Sequence, residues 1–198
     1  SSVQDTAVVF TELTGHAIRS AAPESIRLGL VAEFFDGIDP EVAVAMDRSI
    51  AALRESGMAI DEISLPQTEQ VGEVFGELMV AELMAELSGV DVAEAMQTLD
   101  PVLRDRIAAA VRTGTDPESA RARVAQLARS VGERMRGFTA LLGPTVPFVA
   151  RREDSLADVG SAGEWNRAVG RNTRPGNVFG NCGISLPIHR GHELPVGL

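Results

Sequence analysis

The chain has 198 residues, 44% of them hydrophobic, and a formal net charge of −10. That length allows one domain with a sizeable core, and the acidic balance argues against nucleic acid or an anionic membrane as a whole-molecule partner. A single cysteine excludes an internal disulfide, no apolar run approaches the ~18 residues of a membrane span, and the first residues lack the basic and apolar regions of a signal peptide, so the expectation is a cytoplasmic chain.

The basic residues are all arginine. Arginine keeps its proton near neutral pH, so these residues offer no lysine-type general base.

In chain order, Val3, Ala7, Phe10 and Leu13 recur at helical spacing, with Asp5 in the first turn and Gly15 as a stop; this predicts a helix over Val3 to Thr14. Ser25 to Val31 reads as a strand with Ile26, Leu28 and Leu30 on one side. Asp39-Pro40-Glu41 then carries the cap, N1 proline and acidic first turn of a helix, whose buried stripe is Val42, Met46, Ile50 and Leu53 and whose end is Gly57. Met58 to Leu65 reads as a second strand. Its apolar parity shifts between Ile60 and Ile63, which points to a bulge or an edge position. Strand, helix, strand makes a parallel βαβ unit the natural arrangement.

Gln67 to Phe138 reads as helical. Val71, Val74, Phe75, Leu78 and Met79 mark one inner face, and Glu69, Glu73, Glu77, Glu82 and Glu86 an acidic one. Asp100-Pro101 and Asp116-Pro117 repeat the cap-plus-proline start, with Gly114 separating two helices. The last helix carries the stripe Ala120, Val124, Leu127, Val131, Met135 and Phe138. No basic residue lies between Arg54 and Arg104, whereas Arg104 to Arg152 holds ten arginines against four acids. An arginine patch for phosphate is one reading. Paired or solvated acidic and basic helices is the better one, because no aromatic or glycine-rich interleaving accompanies the arginines.

Thr139 to Val149 is an apolar strand broken by Pro144 and Pro147, Arg151 to Gly163 a polar loop, and Trp165 to Gly170 a turn of helix. In the last 26 residues Pro175 and Gly176 predict a turn. Gly180 and Gly183 bracket Asn181 and Cys182. Ile184 to Ile188 and Leu194 to Leu198 form a hairpin-like pair of short strands around His-Arg-Gly-His-Glu. Cys182 reads as a small buried thiol packing a turn, with His189 and His192 in solvent, rather than as a cysteine nucleophile with a histidine base. No histidine has metal-ligand spacing, and there is no G-x-S-x-G elbow or phosphate-binding glycine loop. Thr173 and Asn177 offer a hydroxyl and an amide for a polar pocket, or local hydrogen bonds to the backbone.

The order Thr173-x-x-x-Asn177, Gly180, an apolar strand from Ile184 to Pro187 and Leu-Pro-Val-Gly-Leu at Leu194 to Leu198 resembles the amidase signature hydrolases. Ser-Val-x-Asp-x-Ala leading to Leu13-x-Gly15 is similar to the helix that follows their catalytic segment. Asp-Pro-Glu-Val at 39–42 resembles the start of a helix they share, and Pro-Thr-x-Pro at 144–147 a strand end that reaches their substrate cleft. Thr139 stands where an acid is frequent in that family.

The resemblance implies an α/β fold, a mixed sheet flanked by helices in α/β/α layers. Residues 1–198 would be the C-terminal portion of an amidase signature domain, with its catalytic half upstream. It implies hydrolysis of carboxamide C–N bonds by an acyl-serine route without cofactor or metal. Thr145, Thr173 and Asn177 would be substrate-binding. Partners would be a small-molecule amide, the upstream half and further copies of the chain, but neither nucleic acid nor membrane. The family's nucleophilic serine, its second serine on a cis peptide and its lysine lie upstream of the helix matching Val3 to Thr14, so these residues supply no catalytic group. Ser1 and Ser2 align with the start of that helix instead. A free-standing non-catalytic binding module, or the glutamine-hydrolysing subunit of a tRNA-dependent amidotransferase, are the alternatives.

Overall fold

The computed structural model describes residues 3–86, 96–101, 103–105, 107–108, 116–156 and 159–198. Its elements in order are α1 (Val3–Thr14), β1 (Arg27–Val31), α2 (Pro40–Glu55), β2 (Ala59–Ile63), α3 (Thr68–Glu86), α4 (Pro117–Arg134), β3 (Ala140–Leu142), α5 (Val159–Val169) and α6 (Arg174–Val178). The strands form one three-stranded sheet in the order β2-β1-β3, with both pairings parallel. The βαβ unit expected from residues 25–65 is present.

The parity shift in β2 has a simple origin. Its register with β1 runs unbroken from Arg27↔Ala59 to Val31↔Ile63, so there is no bulge. Both faces of the sheet are covered instead. Leu28, Ile60 and Leu142 pack toward Val42, Ala45, Met46 and Ile50 of α2. Val31, Ile63 and Leu141 pack on the other face against Val71 and Val74 of α3 and Leu127 and Val131 of α4. Ile60 and Ile63 therefore each cover one face of the sheet, while Ala59, Asp61 and Glu62 of this outer strand stay exposed. In the described sheet β2 is an outer strand, the edge alternative.

The helix starts follow the Asp-Pro pairs. Asp116 caps α4 with both carboxylate oxygens, which accept the N–H groups of Glu118 at 3.2 Å and Ser119 at 3.1 Å. Asp100 accepts the N–H of Leu103 at 3.4 Å, and its carbonyl accepts that of Arg104 at 2.9 Å. Asp39 occupies the N-cap position of α2 but makes no side-chain cap. Its carboxylate reaches away, to the N–H of Val149 and the guanidinium of Arg151, both at 3.2 Å. The residues around Gly114, and the side chain of Glu86, lie outside the described set.

Acidic α3 and basic α4 lie side by side and pair. Arg123 reaches Glu77 at 2.8 Å and Glu73 at 3.2 Å, which raises its already high pKa. This is the pairing expected in place of an arginine patch.

Several expectations change. Of the strand expected over Thr139 to Val149, only Ala140–Leu142 forms β3. The segment 151–163 is not all loop, because α5 begins at Val159. Pro175 and Gly176 do not turn the chain; they sit inside α6, where proline at the first positions of a helix costs no hydrogen bond. Phe138 lies beyond the end of α4 and stacks under the Arg27 guanidinium at 4.7 Å.

The C-terminal hairpin-like pairing forms over a few residues. Leu186 and Leu198 exchange two backbone hydrogen bonds of 2.9 Å, the Ile188 N–H reaches Val196 at 3.0 Å, and Pro187 pairs antiparallel with Gly197. Among the described residues no helix is long and apolar enough to cross a membrane.

Candidate functional site

β1 leaves the sheet toward α2 on one face, and β2 leaves it toward α3 on the other. Connections that part in this way open a crevice at the carboxyl ends of the strands, where open α/β sheets hold ligands. The structure has a cleft of about 320 Å³ there. Glu33 and Asp36 follow β1, and Glu69 lies in the first turn of α3. Arg167, Arg171 and Arg174 line the same cleft from α5, the turn after it, and α6.

Asn172 is the polar side chain that fixes this corner. It is 7% exposed, and its amide nitrogen donates to Phe34 O at 3.0 Å and Pro144 O at 2.8 Å. It thereby ties the exits of β1 and β3 to the start of α6. Its oxygen accepts from Arg171 Nε at 3.2 Å, which orients that guanidinium at the cleft. Arg174 is held by carbonyls: Arg167 O at 2.7 Å and Asn166 O at 2.8 Å.

Glu33 accepts the Ser64 hydroxyl at 2.6 Å, while its second oxygen is buried without a hydrogen bond. Burial alone would raise the Glu33 pKa. The Ser64 hydroxyl, nearby backbone amides and the charge of Arg134 outweigh it and hold the carboxyl below its usual range.

The three residues expected at the site fall in two places. Thr145 is half-buried after β3; its N–H donates to Gly197 O at 2.8 Å, and its hydroxyl meets Ser185 Oγ at 2.7 Å. Thr173 and Asn177 are exposed, the first at the N-cap position of α6 and the second within it. Thr173 Oγ1 has a long bond of 3.5 Å to Gly170 O. The link between the two places is Asn172, which precedes Thr173 and holds the carbonyl of Pro144 beside Thr145.

Sequence reasoning missed Asn172, Ser185 and the charged cleft. Ser185 did carry a signal, as a polar residue alternating with Ile184 and Leu186. Asn172 carried none, because its partners are 138 and 28 residues away. Cys182 is exposed, not buried in a turn as expected, since Gly180 and Gly183 leave that stretch unpacked. His189 is half-buried in the terminal ladder, where its Nδ1 accepts the Val196 N–H at 3.3 Å. Among the described residues no three of His, Cys, Asp or Glu converge as metal ligands.

Comparison with known proteins fits this architecture. The Amidase family model matches residues 3–198. The chain is 30% identical over 210 residues to 2-amino-5-chloromuconic acid deaminase of Comamonas testosteroni, covering 100% of this chain and 45% of that protein. It is 29% identical to a glutamyl-tRNA(Gln) amidotransferase subunit of Geotalea daltonii, covering 88% of this chain and 41% of that one. Among solved structures, a crystal structure of an amidase superposes with a TM-score of 0.81 at 25% identity, over 99% of this chain and 46% of that chain. The chain thus spans about half the length of the curated relatives it matches.

Proposed function

Because the chain belongs to the amidase signature family, we propose that it forms the substrate-wall part of an enzyme that hydrolyses carboxamide C–N bonds through an acyl-serine intermediate. The family match over residues 3–198 carries this reading. In it, a serine oxygen attacks the amide carbonyl carbon and passes its proton through a second serine to a lysine. The C–N bond breaks, the leaving nitrogen takes a proton, and water cleaves the acyl ester. The 198 residues contain no lysine, so this reading takes the lysine, and with it the two serines, from a segment beyond them. The partners in this reading are a small-molecule amide, that segment and further copies of the chain, in the cytoplasm.

What these residues contribute is positioning. In this reading Thr145 and Ser185, whose hydroxyls meet at 2.7 Å after β3, and the exposed Thr173 and Asn177 at α6 are the groups that contact substrate. Asn172 keeps the two in fixed relation. Such preorganisation is worth most where a substrate is held in one orientation for attack.

The relatives that belong to amidotransferases favour a second reading, the glutamine-hydrolysing component of a tRNA-dependent amidotransferase. That reading requires further protein components for full activity; a plain amidase does not.

A fluorophosphonate probe, which labels activated serines, tests the proposal. In the full-length protein the label is expected on a serine outside these 198 residues. The isolated 198-residue chain is expected to hydrolyse no simple carboxamide above its Cys182→Ala control. Turnover by that chain well above the control overturns this division of labour.

A further inference from the structure

We propose that the charged cleft at the carboxyl ends of β1 and β2 selects amides that carry one carboxylate, with Arg171 as the recognising residue. The inference rests on the amidase reading and names its substrate class.

Most arginines with a defined side-chain partner in this protein face a carboxylate: Arg48 with Glu193, Arg123 with Glu73 and Glu77, Arg151 with Asp39, Arg152 with Asp154. The cleft is built differently. Arg171 is held by neutral acceptors, Asn172 Oδ1 at 3.2 Å and, more weakly, Phe34 O at 3.5 Å. Arg167 and Arg171 pair with no described carboxylate. A guanidinium oriented by carbonyl-type oxygens keeps its full charge and its remaining N–H groups for a ligand. The fixation also lowers the entropy lost on binding, because Arg171 hangs from Asn172, which is itself buried and tied to two backbone carbonyls.

Acidic side chains set the other half of the preference: Glu33, Asp36 and Glu69 line the same cleft. A second anionic group on the ligand would meet these carboxylates and be repelled, whereas amide N–H groups would not. A volume of about 320 Å³ suits a small molecule. The favoured ligand is therefore a short amido acid, one carboxylate with a carboxamide at the other end.

Calorimetry on the full-length protein tests this with three probes: succinamate, the neutral succinamide and the dianion succinate. Succinamate is expected to bind at least about tenfold more tightly than either of the others. Arg171→Gln should weaken succinamate about tenfold and leave succinamide unchanged, with Arg167→Gln shifting in the same direction. Arg152→Gln, at an exposed pair remote in sequence from the cleft, should change neither. The proposal is overturned by failure of succinamate to bind, by equal binding of succinamide, or by wild-type discrimination in both cleft variants. These readouts need no turnover. Carboxylate discrimination without serine labelling would refute the amidase reading alone, and labelling without discrimination the cleft proposal alone.

Discussion

Helices α1 and α2 carry similar apolar stripes and meet opposite fates. In α2 the stripe is the core: Val42 and Met46 are 0% exposed, and Ala45 and Ile50 are buried beside them. In α1 no residue is buried, and Leu13 is 82% exposed. The periodicity that forms an amphipathic helix says which residues share a face. It does not say what covers that face. α2 is covered because β1 and β2 flank it in sequence and pair directly, so the sheet forms under it with short connections.

The contrast is sharpened most by truncation. Met46→Ala in the 198-residue chain should cost about 2–5 kcal/mol, the usual range for a buried side chain that leaves a cavity. Leu13→Ala should stay within about 0.5 kcal/mol. Urea denaturation midpoints of the two variants check this. Equal losses would mean that another surface covers α1.

A smaller difference separates two aspartates that look alike in sequence. Asp116→Ala should cost about 1 kcal/mol, the worth of a helix cap, while Asp116→Asn should be nearly neutral because asparagine caps as well. Asp39→Asn should lose stability where Asp116→Asn does not, by under about 1 kcal/mol, since asparagine cannot replace the ion pair to the half-exposed Arg151. Thermal unfolding of the three variants would break the comparison if Asp39→Asn proved the milder asparagine change.

The smallest expected effect is on pH dependence. Glu193 is held at about 2, below the ordinary glutamate value of 4.5, first by the Arg48 guanidinium and then by the Arg190 N–H. A depressed carboxyl adds stability that is complete above pH 4.5 and is lost as pH falls toward 2. Glu193→Gln should therefore flatten the stability profile between those values. An unchanged acid limb would show that the pair contributes nothing.

The parts legible in the sequence were those whose partners are near in the chain. β1, α2 and β2 could be placed because Asp39-Pro40, the stripe from Val42 to Ile50 and Gly57 are local signals. The acidic and basic helices could be matched because charge segregates by segment. Asn172, Glu33 and the Arg48–Glu193 pair, 145 residues apart, could not be seen. Each is a single polar residue whose role depends on which loops the finished sheet brings together. Pro175-Gly176 misled for a related reason: proline opens a helix as readily as a turn, and the packing of Val178 and Phe179 decided between them.

The terminal segment behaves as a fastening with independent catches. The Gly197 carbonyl engages the loop after β3 through the Thr145 N–H, Glu193 engages α2 through Arg48, and the ladder from Leu186 to Leu198 closes the segment on itself. The catches differ in chemistry. Acid loosens the second and leaves the backbone bond of the first in place. A side chain at position 197 would strike the Ser185 and Thr145 hydroxyls, disturbing the first and the ladder beside it but not the second. The wall that carries Thr145 and Ser185 is thus fault-tolerant: no single insult of solvent or substitution releases every hold on it.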